Sequence, residues 1–150
     1  MSLADRTAPG QTEAIAFEVE LPHAPAKVWR ALTEPGLLAR WLLPVVESEL
    51  ALAAGAPFTL RTEPQPGWDG TVSCRVLEVE AERRLSYAWV VAAMGLDTVV
   101  TFTLTPTAAG TRLAILQSGF TPAQRRNFAG ARYGWRLMGG RLLDLLAAAP

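Results

Sequence analysis

The stretch from Pro25 to Trp41 constrains the fold of this chain more than any other. Pro25 and Pro35 each suit the first turn of a helix, where a missing N–H costs no hydrogen bond. After Pro25, the residues Val28, Trp29 and Leu32 fall at helical spacing, and Leu37, Leu38 and Trp41 do so after Pro35. Thr33 reads as a cap between the two, and Pro44 closes the unit. Two helices this short plug one end of something larger, and the flanking sequence shows what that is. Upstream, Ile15, Phe17, Val19 and Leu21 alternate with Ala14, Ala16, Glu18 and Glu20, the period of a half-buried strand that Pro22 ends.

Downstream the sequence predicts a meander and then a helix. Val45–Leu52 reads as a weak strand and Pro57–Thr62 as a short one. Asp69-Gly70 marks a turn before a long strand at Thr71–Glu80. The continuous apolar character of Arg84–Val91 suggests burial on both faces. Asp97–Thr105 alternates, with Val100, Phe102 and Leu104 on one side. Pro106 and Gly110 bracket a turn into Thr111–Ser118. Thr121-Pro-Ala-Gln124 is a capping box with proline at the first helical position. Beyond it, Phe128, Ala131, Trp135, Met138, Leu142 and Leu146 share one helical face. Gly130, Gly134, Gly139 and Gly140 weaken that helix by up to about 1 kcal/mol each relative to Ala. Tight packing against the sheet is the first explanation for them, and shaping a cavity wall or lid is the second. Residues 1–12, polar and without period, are expected as a flexible tail, leaving 13–150 as one domain.

Bulk properties narrow the function classes. The chain has 150 residues, half of them hydrophobic, and its fourteen basic and fourteen acidic residues cancel. Nothing global points to nucleic acid or an anionic membrane. Tyr87–Met94, the longest apolar stretch, is too short to cross a bilayer. No secretory signal is visible at the N-terminus. A single cysteine, Cys74, fits a reducing compartment, so a cytoplasmic location is expected.

Several segments together resemble a known family: Ala24-Pro25-Ala-Lys-Val-Trp-Arg-Ala-Leu-Thr33, Pro35 with Trp41, Gly70-Thr-Val, Arg84-Leu-Ser-Tyr-Ala-Trp89, Gly110-Thr-Arg-Leu113, Ser118-Gly-Phe120 and Gly134-Trp135. The chain is similar to the START-like, or SRPBCC, superfamily, and within it to the branch related to the C-terminal domain of the heat-shock-protein-90 ATPase activator. The resemblance covers Glu13 to Leu146. It implies an α+β helix-grip fold, a curved antiparallel sheet around a long C-terminal helix, with a cavity between them. Members include lipid carriers, hormone receptors, polyketide cyclases, self-sacrificing resistance proteins and chaperone-associated domains. No catalytic motif is common to the branch, so none carries over to positions here.

The expected cavity lining is Phe58, Trp68, Tyr87, Trp89, Phe102, Trp135, Met138 and Leu142, a set suited to a small apolar or aromatic ligand. Ordinary core packing explains Trp29 and Trp41 and competes as an explanation for the others. Arg125, Arg132 and Arg136 lie beside the apolar face of the last helix, whereas Arg126 and Asp144 project from its back. The first three read either as a solvated face or as a cationic rim for an anionic ligand. His23, the sole histidine, excludes a multi-histidine metal site and is expected to be exposed. Cys74 reads as a small buried hydrophobe, and Glu47, Glu49, Glu63, Asp69 and Asp97 as surface charges unless one points inward. No phosphate loop, Cys-x-x-Cys or Gly-x-Ser-x-Gly is present; no metal or cofactor is expected. Ligand binding is therefore the leading expectation, with a polyketide cyclase or dehydratase and a chaperone-associated interaction domain as alternatives. Homodimerisation stays open.

Overall fold

The computed structural model describes residues 3–47 and 49–149. Its strands are β1 (Ala4–Asp5), β2 (Ala14–Leu21), β3 (Val45–Val46), β4 (Pro57–Arg61), β5 (Thr71–Glu80), β6 (Arg84–Val91), β7 (Leu96–Pro106) and β8 (Thr111–Ser118). They form one antiparallel sheet in the order β1-β2-β8-β7-β6-β5-β4-β3. Helices α1 (Pro25–Thr33) and α2 (Pro35–Trp41) follow β2, and α3 (Arg125–Ala148) ends the fold. This is the helix-grip arrangement.

The period-two pattern decides which face holds the core. On β2, Ile15, Phe17, Val19 and Leu21 are buried, and on β8 Leu113, Ile115 and Gln117 continue the same inner surface. Curvature has a local cause in β5. The register against β6 passes from Val76↔Tyr87 to Glu78↔Ser86, leaving Leu77 unmatched. Such a bulge bends the strand and raises its twist, so the sheet wraps towards α3.

The two short helices close the end of the sheet as expected. Trp41 is 1% exposed; its indole N–H donates to Ala31 O at 2.8 Å and its ring stands edge-on to Phe102. Lys27 then ties α1 to the far end of α3. Its Nζ donates to Leu146 O at 2.8 Å and Ala149 O at 2.7 Å, satisfying carbonyls left without helical partners. The same ammonium lies 3.2 Å from His23 Nδ1. His23 is thus half-buried rather than exposed, and burial, reinforced by the Lys27 charge, lowers its pKa below the ordinary imidazole value.

Two expectations are corrected here. Met1 and Ser2 of the expected tail lie outside the described residues, but residues 3–7 are bound to the fold. Ala4 and Asp5 pair with Glu18 and Phe17, Arg6 N donates to Ala16 O at 2.7 Å, and Leu3 packs against Gly139. Asp5 Oδ2 accepts hydrogen bonds from Arg132 Nε at 2.6 Å and Arg136 at 2.9 Å, fastening this segment to α3. Within this polar segment Asp5 is the partner of α3, while Arg6 and Thr7 bond to Ala16 of β2. The weak strand at Val45–Leu52 shrinks to Val45–Val46; Ser48 lies outside the described residues, and Glu47 adopts a positive φ of 67° that breaks the extended run.

Candidate functional site

Between the concave face and α3 lies a cavity of about 410 Å³, within the size range of small-molecule sites. Val72, Trp89, Val91, Leu96 and Gln117 form its sheet side; Gly130, Ala131, Gly134, Trp135 and Met138 form its helix side. Leu43, Thr62, Trp68 and Met94 line it further, as do Arg126 and Asn127 at the start of α3. Among the described lining residues there is no carboxylate, imidazole or phenol.

The glycines account for the space. A Cβ built on Gly130 would meet nothing within 4 Å, and one on Gly134 only Met138 Cε at 3.9 Å. Both face the cavity, so missing side chains leave part of it empty. Gly139 is different: a Cβ there would collide with Leu3, so this position serves close packing of the N-terminal segment. Cavity shaping therefore explains two of the four helix glycines, and close packing explains a third.

Of the expected lining residues, Trp68, Trp89, Trp135 and Met138 face the cavity. Phe58, Tyr87, Phe102 and Leu142 do not; each is 2% exposed or less and sits in the packed core. They still support the site from behind. Phe58 stands edge-on to Tyr87 at 5.0 Å, Tyr87 packs on Phe102 at 5.9 Å, and Phe102 stands edge-on to Trp135 at 6.1 Å. Trp135 reaches Trp89 at 6.1 Å, so an aromatic chain runs from core to cavity wall. Tyr87 Oη is buried with no hydrogen-bond partner among the described residues. Burial first, then Cys74, pushes its pKa well above the ordinary phenol value, and the hydroxyl stays neutral. Trp68 is set by its indole N–H, which donates to Thr71 O at 2.9 Å.

The expected cationic rim is redistributed. Arg132 and Arg136 are held by Asp5, and Arg125 is absent from the lining. Arg126, which helical spacing assigned to the back, is the arginine at the cavity, and it makes no ion pair among the described residues. The helix starts one turn later than the capping box suggests, because Pro122–Gln124 forms a 3-10 turn before α3. Gln124 Oε1 still accepts the Thr121 N–H at 2.9 Å, while Gln124 Nε2 donates to Gly95 O at 2.7 Å.

Gln117 and Thr98 were not picked out from sequence. Trp135 Nε1 donates to Gln117 Oε1 at 2.8 Å, Gln117 Nε2 donates to Thr98 Oγ1 at 3.0 Å, and the Thr98 hydroxyl donates to Trp89 O at 2.8 Å. The signal was strand parity: both polar side chains occupy inward positions on β8 and β7, where a polar group needs partners.

The described residues contain no cluster of three or more His, Cys, Asp or Glu suited to a metal. Cys74 is 6% exposed, and burial pushes its thiol up to about 12, which makes it unreactive. No helix among the described residues is long and apolar enough to cross a membrane.

A curved sheet gripping a long helix around an apolar cavity defines a START-like, SRPBCC-type domain. Residues 22–147 match the family described as activator of Hsp90 ATPase homolog 1-like protein, and the chain belongs to that family. Among solved structures, protein MLL2253 from Mesorhizobium loti is 40% identical, with 91% of this chain and 98% of that one covered at a TM-score of 0.82. A Rhodobacter sphaeroides protein is 26% identical over the full length of both chains at a TM-score of 0.77. DynU16, a protein of the dynemicin biosynthetic locus, is 25% identical at a TM-score of 0.74; the match covers 92% of this chain but 48% of DynU16. No functionally curated protein matches the chain.

Proposed function

We propose that this protein binds a small, largely apolar or aromatic molecule in the cavity between the sheet and α3. The observation that carries this is the pairing of a 410 Å³ space with glycines at 130 and 134 that leave it unfilled. Helix glycines are costly, and a chain selected for stability alone would fill the space. Three tryptophans in the wall suit a flat ligand, and the rigid aromatic chain behind them holds the wall in shape. Arg126, at the cavity and without an ion pair among the described residues, favours ligands carrying an anionic substituent. The single reduced cysteine supports a cytoplasmic setting.

A cyclase or dehydratase reading draws on the likeness to DynU16 and its biosynthetic locus. General acid–base catalysis needs a titratable group within reach of the substrate, and the lining supplies none near neutral pH. Binding without chemistry is the better supported reading.

Titration with 2-acetylnaphthalene, 2-naphthoate and decanoate, followed by tryptophan emission and calorimetry, tests it. Saturable 1:1 binding by at least one is expected, with emission changing through Trp68, Trp89 and Trp135. No saturable response from any of the three overturns the proposal.

A further inference from the structure

We infer that Gln117 selects, among the apolar ligands proposed above, those that carry a hydrogen-bond-accepting oxygen such as a ketone or ester carbonyl; this rests on the cavity being a binding site. Gln117 is 3% exposed and is the polar side chain on an otherwise apolar sheet wall. An amide of this kind can usually sit either way round, but here its orientation is fixed. The indole N–H of Trp135 is a donor only, so the group facing it at 2.8 Å must be Oε1. Nε2 consequently points the other way, towards Thr98 Oγ1 at 3.0 Å. Thr98 can accept that bond because its own hydrogen is spent on Trp89 O at 2.8 Å.

The three bonds run in one direction, from Trp135 through Gln117 and Thr98 to the Trp89 carbonyl. Each amide nitrogen carries two hydrogens. One goes to Thr98, and the other has no acceptor among the described residues. A ligand that fills the cavity without an acceptor leaves that N–H unpaired and desolvated, a penalty that a carbonyl placed there avoids. A ligand offering only a hydroxyl hydrogen or a C–H at that point does not. The network thus presents a prearranged donor at Gln117 Nε2, and it favours a ligand that accepts there over one of the same shape that cannot.

The test compares 2-acetylnaphthalene with 2-isopropenylnaphthalene, which replaces C=O by C=CH₂ at nearly the same size. Affinities are measured by calorimetry for the intact chain and for Gln117→Met. The ratio of ketone to alkene affinity is expected to fall about fivefold in the variant, the value of one neutral hydrogen bond. Because Gln117→Met also leaves the Trp135 N–H without its acceptor, a second measurement uses the unaltered protein alone. The infrared C=O stretch of carbonyl-labelled ketone should move to lower wavenumber on binding than in a hydrocarbon solvent. A bound ketone whose stretch stays at the hydrocarbon value, or a ratio unchanged in Gln117→Met, overturns this inference and leaves the cavity as a binding site. Failure of both naphthalenes to bind, with no response from 2-naphthoate or decanoate either, overturns the binding proposal and this inference together.

Discussion

Filling the cavity from α3 should make the protein more stable and less able to bind. Gly134 is the position to use, because a Cβ there meets only Met138 Cε, at ordinary van der Waals distance. Replacing a helical glycine with leucine recovers about 0.8–1 kcal/mol of helix propensity. Each additional methylene or methyl that finds an apolar wall contributes about 0.8 kcal/mol. With two such groups buried against Trp89 and Met138, and some rotamer entropy lost, Gly134→Leu is expected to gain about 2 kcal/mol. For a chain of 150 residues that is roughly 4–8 °C in melting temperature. Two controls separate the contributions. Gly134→Ala should gain only the propensity share, about 1 kcal/mol. Gly140→Leu places its side chain in open space, and should gain about 1 kcal/mol with ligand affinity unchanged. Thermal unfolding by circular dichroism gives the stabilities, and calorimetry with 2-acetylnaphthalene gives the affinities. A Gly134→Leu protein less stable than Gly134→Ala would show that the space is not there. One that is more stable yet binds the ketone as before would place the ligand elsewhere.

The remaining predictions concern the frame around the site. Asp5→Asn should cost about 1 kcal/mol at pH 7, a modest value because Arg132 and Arg136 are partly solvated. Burial tends to raise the Asp5 pKa, but the hydrogen bonds from Arg132 and Thr7 and the Arg132 charge hold it well below the ordinary carboxylate value. Its stabilisation is therefore full above about pH 5 and drains away as pH drops below about 4; denaturant melts that show the same wild-type-to-variant gap at pH 7 and pH 3 contradict this. Lys27→Met should cost about 1–2 kcal/mol, since two carbonyls at the end of α3 lose a charged donor. Amide exchange should speed up first in the last turn of α3, and uniform protection along the helix would refute the assignment. Cys74 should resist a thiol reagent such as a disulfide dye at pH 8 in the folded protein and react promptly in denaturant; rapid reaction without denaturant would mean that β5 opens locally.

The architecture was legible because its signals are local. Proline at 25 and 35 placed both short helices, alternation placed β2, and turn residues with a continuous apolar run placed β5, β6 and β8 to the residue. The site was only half legible, for a physical reason. Parity tells which side of the sheet a residue faces, but not how far along the strand the helix stays in contact. Phe102 and Trp89 both point inward, yet Phe102 lies beneath Trp41 and Trp135 while Trp89 lies where α3 carries Gly130 and Gly134. Arg126 was misplaced because the cavity lies along the i, i+4 row Arg126, Gly130, Gly134 and Met138, to one side of the Phe128–Trp135 stripe that the apolar pattern picks out. Thr98 and Gln117 were within reach, since each breaks an apolar run on an inward face. The N-terminal segment was not, because the two residues that pair with β2 are too few to show a strand pattern, and its partners on α3, Gly139, Arg132 and Arg136, are more than a hundred residues away.

The sheet begins and ends in strands of two residues, β1 and β3. Short terminal strands leave few open backbone groups for another molecule to pair with. β1 covers part of β2, eight residues long with four of them deeply apolar. A chain shortened to begin at Gln11 would keep every cavity-lining residue, yet it would expose β2 as a ready template for intermolecular pairing. Its failure would then appear as aggregation that worsens with protein concentration, on top of the modest loss of melting temperature that removing Asp5 brings.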